Sequence, residues 1–283
     1  MRYLALLCLV TFSSATCTLP TELRGLAKTV TLKSLKKNRD VQRNIGALKN
    51  MCLYKVSFKE SKYQWTMLLV THPKQSKGPF WYLPHDDENT AFDAAVYATK
   101  KYGGGFLAVM SGNHRNMQGQ DPNRNFGETR NTANTCKNQH YPAAKYSKNV
   151  FKIIDTFRHT KYPYLALHNN KNGWYGNGGH GGVSILKSSA TVHSYPAPKH
   201  SRLQDEDNLI YIAGKSKTPN AKKLKQFLGF GLNVKYEIID SRHNDCSLSN
   251  YVILRKKTSN YINIESQHGD LKTQKMMVDK ILK

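Results

Sequence analysis

Acidic residues are scarce in this chain: 19 Asp and Glu stand against 43 Lys and Arg among 283 residues, a formal charge of +24 at pH 7. An imbalance of that size surrounds a protein with a field that attracts anionic partners. No run of eighteen apolar residues exists, which excludes a helix that crosses a bilayer. No two of the five cysteines have Cys-x-x-Cys spacing, so a thiolate zinc ribbon is excluded as well. Internal repeats, low-complexity tracts and a dividing linker are also missing, and solenoid, collagen and disordered readings fall with them. What is present is 39% hydrophobic residues with sixteen Tyr, ten Phe and three Trp. That is the composition of a soluble globular protein, long enough to bury one large core.

The first sixteen residues read as a secretory signal peptide (1–16). A charged start at Met1 and Arg2 precedes an apolar stretch from Tyr3 to Phe12 and then small residues at Ser13, Ser14 and Ala15. The stretch before Cys17 lacks the Leu of a lipoprotein box. A secreted or periplasmic location follows, and in such a compartment disulfides persist. Cys8 leaves with the signal. Cys17, Cys52, Cys136 and Cys246 remain as an even set with three possible pairings, read as structural bridges or free buried thiols.

Residues 17–50 form a basic leading segment with weak apolar periodicity, expected to be solvated and irregular or short-helical. Residues 51–283 read as a single α/β domain. Leu53–Phe58 and Tyr63–Val70 alternate as the two strands of an edge hairpin, and Phe80–Leu83 is a short strand leading into a polar loop. Ala91–Tyr102 follows as a helix closed by Gly103-Gly104-Gly105. Further strands are read at 106–110, 164–167, 183–186, 208–213, 234–239, 250–254 and 261–264, with helices at 146–157, 220–230 and 274–282. Strands alternating with helices predict a mixed, mostly parallel open sheet flanked by helices.

Against the scarcity of acid, His85-Asp86-Asp87-Glu88 concentrates three carboxylates at a strand-to-helix corner. A His and a Glu three apart at such a corner can face one point, and imidazole with carboxylate is a normal zinc pair. Asp86 and Asp87 read instead as helix N-terminal charges or as partners of His85. Asp121-Pro122-Asn123-Arg124 sits in a loop with Arg115 upstream, and two guanidiniums beside an amide suit a carboxylate or a polarised carbonyl. His168 ends an apolar strand, at the edge of an open sheet where sites gather. Glu265 leaves the alternating stretch 261–265 on the face of Asn263, opposite Ile264.

The order His-x-x-Glu, Asn-Arg, His, Glu resembles the zinc carboxypeptidases of the M14 type and the related deacylases of acylated amino acids, over about Phe80 to Gly269. The resemblance implies a zinc carboxypeptidase-like fold with one Zn2+ held by His85, Glu88 and His168. It implies that Asn123 and Arg124 hold the substrate's terminal carboxylate, that Arg115 polarises the scissile carbonyl and that Glu265 is the general base. The family's substrate-capping tyrosine has no counterpart in Asp240-Ser241-Arg242-His243-Asn244-Asp245, and Tyr251 lies later.

Other features carry less chemistry. The glycine-dense stretch 173–182 opens no helix and has no following Lys-Ser or Lys-Thr, so it reads as a mobile loop bordering the cleft, in which His180 can meet substrate. Of the remaining histidines His268, three after Glu265, stands out. No nucleic-acid-binding signature accompanies the charge. An anionic cell-wall polymer is the expected partner and a peptide or muropeptide the expected substrate. The sequence thus predicts a zinc hydrolase acting next to a terminal carboxylate on peptidoglycan stem peptides. The alternatives are a deacylase of N-acylated amino acids and a basic wall-binding protein with a vestigial site, which would have no need of Glu265.

Overall fold

Strands with apolar residues on both faces need cover on both faces, and the middle of this chain is built from such strands. The computed structural model describes residues 17–136, 138–171, 182–198, 203 and 205–283. The signal segment, His180 and nearly all of the glycine-dense stretch lie outside the described residues. Among the described residues ten strands form one sheet: β1 (Ala27–Thr29), β2 (Cys52–Glu60), β3 (Tyr63–Thr71), β4 (Phe80–Leu83), β5 (Gly105–Val109), β6 (Tyr164–Asn170), β7 (Val192–Tyr195), β8 (Leu209–Gly214), β9 (Asn233–Ile238) and β10 (Tyr261–Gln267), in the order β1-β2-β3-β5-β4-β6-β10-β8-β9-β7.

The centre β5-β4-β6-β10 is parallel throughout, and β8 and β9 are parallel to each other. The remaining pairings, β1-β2, β2-β3, β3-β5, β10-β8 and β9-β7, are antiparallel. The sheet is therefore mixed, as expected, with parallel pairing confined mainly to its centre. The expectation of a mostly parallel sheet is corrected at the flanks, where antiparallel pairs dominate, among them the β2-β3 hairpin with its tight turn, and β8-α6-β9 is the one parallel crossover unit among the described residues there.

Among the described residues eight α-helices accompany the sheet: α1 (Arg39–Arg43), α2 (Ile45–Leu48), α3 (Asn89–Tyr102), α4 (Arg130–Thr135), α5 (Ala144–Phe157), α6 (Ala221–Gly229), α7 (Leu248–Leu254) and α8 (Leu271–Leu282). On one face α5 and α7 bury Tyr146, Val150, Phe151, Leu248 and Val252 against Tyr82, Leu107 and Ala166. On the other, α3, α6 and α8 bury Phe92, Ala95, Phe227 and Met277 against Trp81, Phe106 and Leu165. Gly103 and Gly104, both at φ 73°, close α3. A Cβ on Gly104 would stand 1.9 Å from the Pro79 carbonyl oxygen, so only glycine lets β5 start beside β4.

This layering makes the site. From β4 the chain runs through α3 on one face to β5, and from β5 through α5 on the other face to β6, which pairs β4 on its free side. The connections leave the carboxyl ends of β4 and its neighbours toward opposite faces and open a crevice between them, at the topological switch point.

The leading segment is short-helical and adds an edge strand. Cys17 is bridged to Cys52, Ala27 is paired with Val56, and Leu23, Val41 and Leu48 are buried. Two strand expectations fail. At 183–186 the Ser184 hydroxyl accepts the Leu186 N–H and its carbonyl accepts the Lys187 N–H, so the segment turns and the strand comes later as β7. At 250–254 the chain is helical: the Ser247 hydroxyl accepts the Asn250 N–H, and Leu248, Val252 and Ile253 recur at helical spacing.

Candidate metal centre

β4 runs into His85, and α3 begins immediately after Glu88, so this pair flanks the crevice on one side while His168 near the end of β6 flanks it on the other. Nδ1 of His85 lies 2.8 Å from Oε1 of Glu88, and Nδ1 of His168 lies 3.2 Å from Oε2. The imidazoles meet edge to face with centroids 5.0 Å apart. All three residues are buried, and one donor atom from each falls within 4.8 Å of the others. Two neutral imidazoles and a carboxylate are the donor set of a catalytic zinc site. The residues present fit that ion.

His85 faces a carboxylate on each ring nitrogen, because Nε2 lies 3.0 Å from Oδ1 of Asp121. Burial opposes charge on the ring, but Glu88 and Asp121 prevail and push it up to about 9. A cation in place of the Nδ1 proton meets the same carboxylate and leaves the Nε2–H to Asp121, the usual outer partner of a metal-binding histidine. Asp121 is the functional residue that sequence reading missed. Burial opposes its ionisation too, yet the bond and charge of His85 hold it down to about 2. The same Oδ1 accepts the Asn123 N–H at 2.8 Å, so one oxygen joins His85 to the turn that carries Asn123 and Arg124.

Asn169 is the second residue missed. Glu88 occupies the position before α3 but makes no side-chain cap. Asn169 Oδ1 instead accepts the Ala91 N–H at 2.8 Å, and the Asn169 N–H donates to Glu88 Oε2 at 3.1 Å. Its amide also donates to Gln274, whose own amide holds the His168 carbonyl oxygen at 3.0 Å. The end of β6, the start of α3 and α8 are thereby locked around the His85–Glu88–His168 cluster.

Glu265 is the register partner of His168, so the β6-β10 pairing brings them side by side. It is buried, and Asn263 Nδ2 donates to its Oε1 at 2.9 Å. Burial raises its carboxyl, His168 lowers it, Glu88 raises it, and the net shift is upward. Arg115 reaches the centre from the loop after β5, with Nη1 2.9 Å from Glu88 Oε1 and its side chain 52% exposed. Tyr211, the register partner of Asn263, shares this face, and burial and Glu265 push its phenol upward.

Asn123 and Arg124 lie in a 3-10 turn, Pro122–Arg124. Asn123 Oδ1 accepts the Leu248 N–H, so its side chain is fixed by α7. Arg124 Nε lies 3.3 Å from Asp245 Oδ2, and Nη1 donates to the Asn123 carbonyl, with the side chain 32% exposed. The loop is then anchored by Phe126 N–H to the Cys246 carbonyl and by the Cys136–Cys246 bridge, with Cα atoms 5.7 Å apart. Tyr146 adds a hydrogen bond to the Pro122 carbonyl while also bonding the Tyr82 hydroxyl.

Asp86 takes a different part from the one expected. Its Oδ2 accepts the N–H groups of Ser111 and Asn113, both at 2.8 Å, and so holds the loop leading to Arg115 rather than His85. His268 is exposed and bonds through its backbone N–H to Asn170. Glu237, another carboxylate near Arg124, has its oxygens on Ser249 and Asn250 and is pushed up to about 7 by burial and Asp245.

Fold and site define a class: a three-layer α/β domain with a two-histidine, one-glutamate cluster at its switch point. No protein-family profile and no curated protein sequence matches the chain. It is similar to a solved structure from Shewanella amazonensis SB2B, provisionally described as a metallopeptidase, with 11% identity, 88% of each chain covered and a TM-score of 0.43. It is also similar to one from Shewanella denitrificans OS217 with the same description, 10% identity, 88% of each chain and a TM-score of 0.43. A protein from Shewanella denitrificans OS-217, provisionally described as a carboxypeptidase A, gives 10% identity and a TM-score of 0.43 over 88% of this chain and 67% of that one. The activities in those descriptions belong to those proteins.

Proposed function

We propose that this chain is a zinc-dependent hydrolase of the M14 carboxypeptidase type, which cleaves the amide bond next to a terminal carboxylate. The observation that carries this is the convergence of His85, Glu88 and His168 within 4.8 Å. Those three residues hold the ion, which when bound supplies Lewis acidity toward water and a carbonyl. Glu265 moves the proton. Asn263 occupies its Oε1, leaving Oε2 to take a proton from water and return it to the leaving nitrogen, and burial favours the protonated form that this shuttle needs. The exposed part of Arg115 is placed to meet a developing oxyanion. Asn123 and Arg124 bind and orient the chain end, one as an amide donor and the other as a guanidinium fork.

Peptidoglycan stem peptides are the proposed substrate, in a secreted or periplasmic setting where the basic surface concentrates the enzyme on an anionic wall polymer. The test compares turnover of stem-peptide analogues ending in a free acid or an amide, in wild type and Arg124→Ala. The expected outcome is at least about tenfold preference for the free acid, lost in Arg124→Ala, since a charge-assisted contact there is worth about 2 kcal/mol or more. Equal cleavage of both forms by wild type overturns the carboxypeptidase reading, and activity confined to single acylated amino acids replaces it with a deacylase.

A further inference from the structure

At the other end of β10 from Glu265, a cavity of about 890 Å3 opens between the end of β8, the start of α6 and the loop before β10. Five residues of strand separate Asn260, which lines it, from Glu265, roughly 15 Å. Three ammonium groups border it, from Lys215, Lys223 and Lys257, and no Asp or Glu is among its lining residues. None of the three lysines makes an ion pair among the described residues. Four hydroxyls, from Ser216, Thr218, Thr258 and Ser259, stand among them over an apolar floor that includes Ile212 and Ile253.

The backbone that carries these groups is fixed, with Lys223 half-buried and Lys215 and Lys257 exposed at the rim. The Tyr236 hydroxyl donates to the Ser216 carbonyl at 2.8 Å and pins the turn that carries Lys215. A Cβ on Gly214 would stand 2.6 Å from that hydroxyl, so glycine is required there. Lys257 has φ +54°, held by the Thr258 N–H to the Val252 carbonyl. Lys222 and Lys223 occupy the first turn of α6, the end where the helix dipole disfavours cations, and no acidic residue offsets them. Burial lowers the Lys223 ammonium, with no opposing charge to restore it. An anion in the cavity would offset the two uncompensated ammonium groups in the first turn of α6.

We infer that this cavity is a binding site for an acidic glycan segment, whose sulfate or carboxylate groups meet the three lysines and whose hydroxyls meet the four side-chain hydroxyls. The volume suits a ligand of two or three sugars. No exposed aromatic ring lines it on which a nucleic-acid base can stack: Tyr236 is buried and its hydroxyl is taken. The inference is independent of the hydrolase reading, since the lysines stand apart from His85, Glu88, His168 and Glu265.

The experiment titrates the full chain with a sulfated tetrasaccharide and, separately, with a tetragalacturonate, at 0.15 M salt, to tell sulfate from carboxylate. The variants are Lys215→Ala/Lys223→Ala/Lys257→Ala and a control of equal charge change, Lys33→Ala/Lys36→Ala/Lys49→Ala. Binding of at least one glycan is expected to weaken tenfold or more in the first and less than threefold in the second. The single variant Lys223→Met, which keeps the packing, is expected to weaken binding about threefold even if the triple variant folds poorly. Glu265→Gln is expected to bind as wild type does. Equal losses in the two triple variants would reduce the cavity to part of a general field and overturn the proposal. So would weakened binding in Glu265→Gln, or tighter lysine-dependent binding of a single-stranded DNA hexamer than of either glycan.

Discussion

His85 is gripped from both sides by carboxylates, and the difference between those two grips sets the chemistry of the centre. Glu88 lies on the nitrogen that faces the ligand cluster and Asp121 on the one that faces away. Asp121→Asn keeps the shape of the outer grip but removes its charge, so zinc affinity is expected to fall about 10- to 100-fold, measured by competition with a chromophoric chelator. In the same assay His168→Ala and Glu88→Ala are expected to lose the ion outright. Glu265→Gln should keep the ion and the fold but lose turnover by a factor of about 100 or more; near-normal turnover would place the base elsewhere. His85, Glu88, His168 and Glu265 were legible in the sequence because each lies beside or within a strand whose apolar pattern is local. Asp121 and Asn169 were not. Their partners stand 36 and 81 positions away, and an Asp before Pro or an Asn after His carries no local sign of such a contact.

Among the helices, α5 shows how one element stiffens another. Ala143 precedes it and offers no cap, so the Lys145 and Tyr146 N–H groups donate instead to the two oxygens of Glu60, the last residue of β2. Glu60→Ala is expected to cost about 1 kcal/mol, read as a lower denaturant midpoint with unchanged m. Because Tyr146 also hydrogen-bonds Pro122, the loss reaches the turn bearing Arg124. Long elements were legible from the sequence: the β2-β3 hairpin, α3 with its glycine stop, α5 and β10 repeat one period over many residues. Short ones were not. Val183 to Leu186 and Asn250 to Leu254 are apolar runs too brief to distinguish a strand from a turn or helix, and the hydroxyls of Ser184 and Ser247 decided them. The strand β1 was hidden for another reason, since its three residues, Ala27 to Thr29, are too few to show a period, and the contacts that hold the leading segment to β2, the Cys17–Cys52 bridge and the pairing of Ala27 with Val56, are distant in sequence.

Across the whole molecule, the centre of the sheet positions the His85–Glu88–His168 cluster while the loops that cross its edge carry Asn123 and Arg124, and the Cys136–Cys246 bridge ties those loops down. It closes 110 residues, so in the chain-entropy account its loss costs up to about 5 kcal/mol, against about 4 for the 35 residues of Cys17–Cys52. Cys136→Ser/Cys246→Ser is expected to raise KM for free-acid peptides more than it lowers kcat, because Asp245 and Leu248, which hold Arg124 and Asn123, lie beside the severed bridge. Cys17→Ser/Cys52→Ser should lower thermal stability and leave that KM nearly unchanged; equal effects on KM would dissolve the distinction. The two halves of the site consequently answer to different chemical stresses. On the proposed reading a chelator would remove the ion and leave Asn123 and Arg124 in place, whereas a reductant would loosen those two residues before it reached the His85–Glu88–His168 cluster. Asp121 spans both halves, so on the proposed reading a reducing environment would first blunt the discrimination between chain ends, at a cost in stability set by the severed bridges.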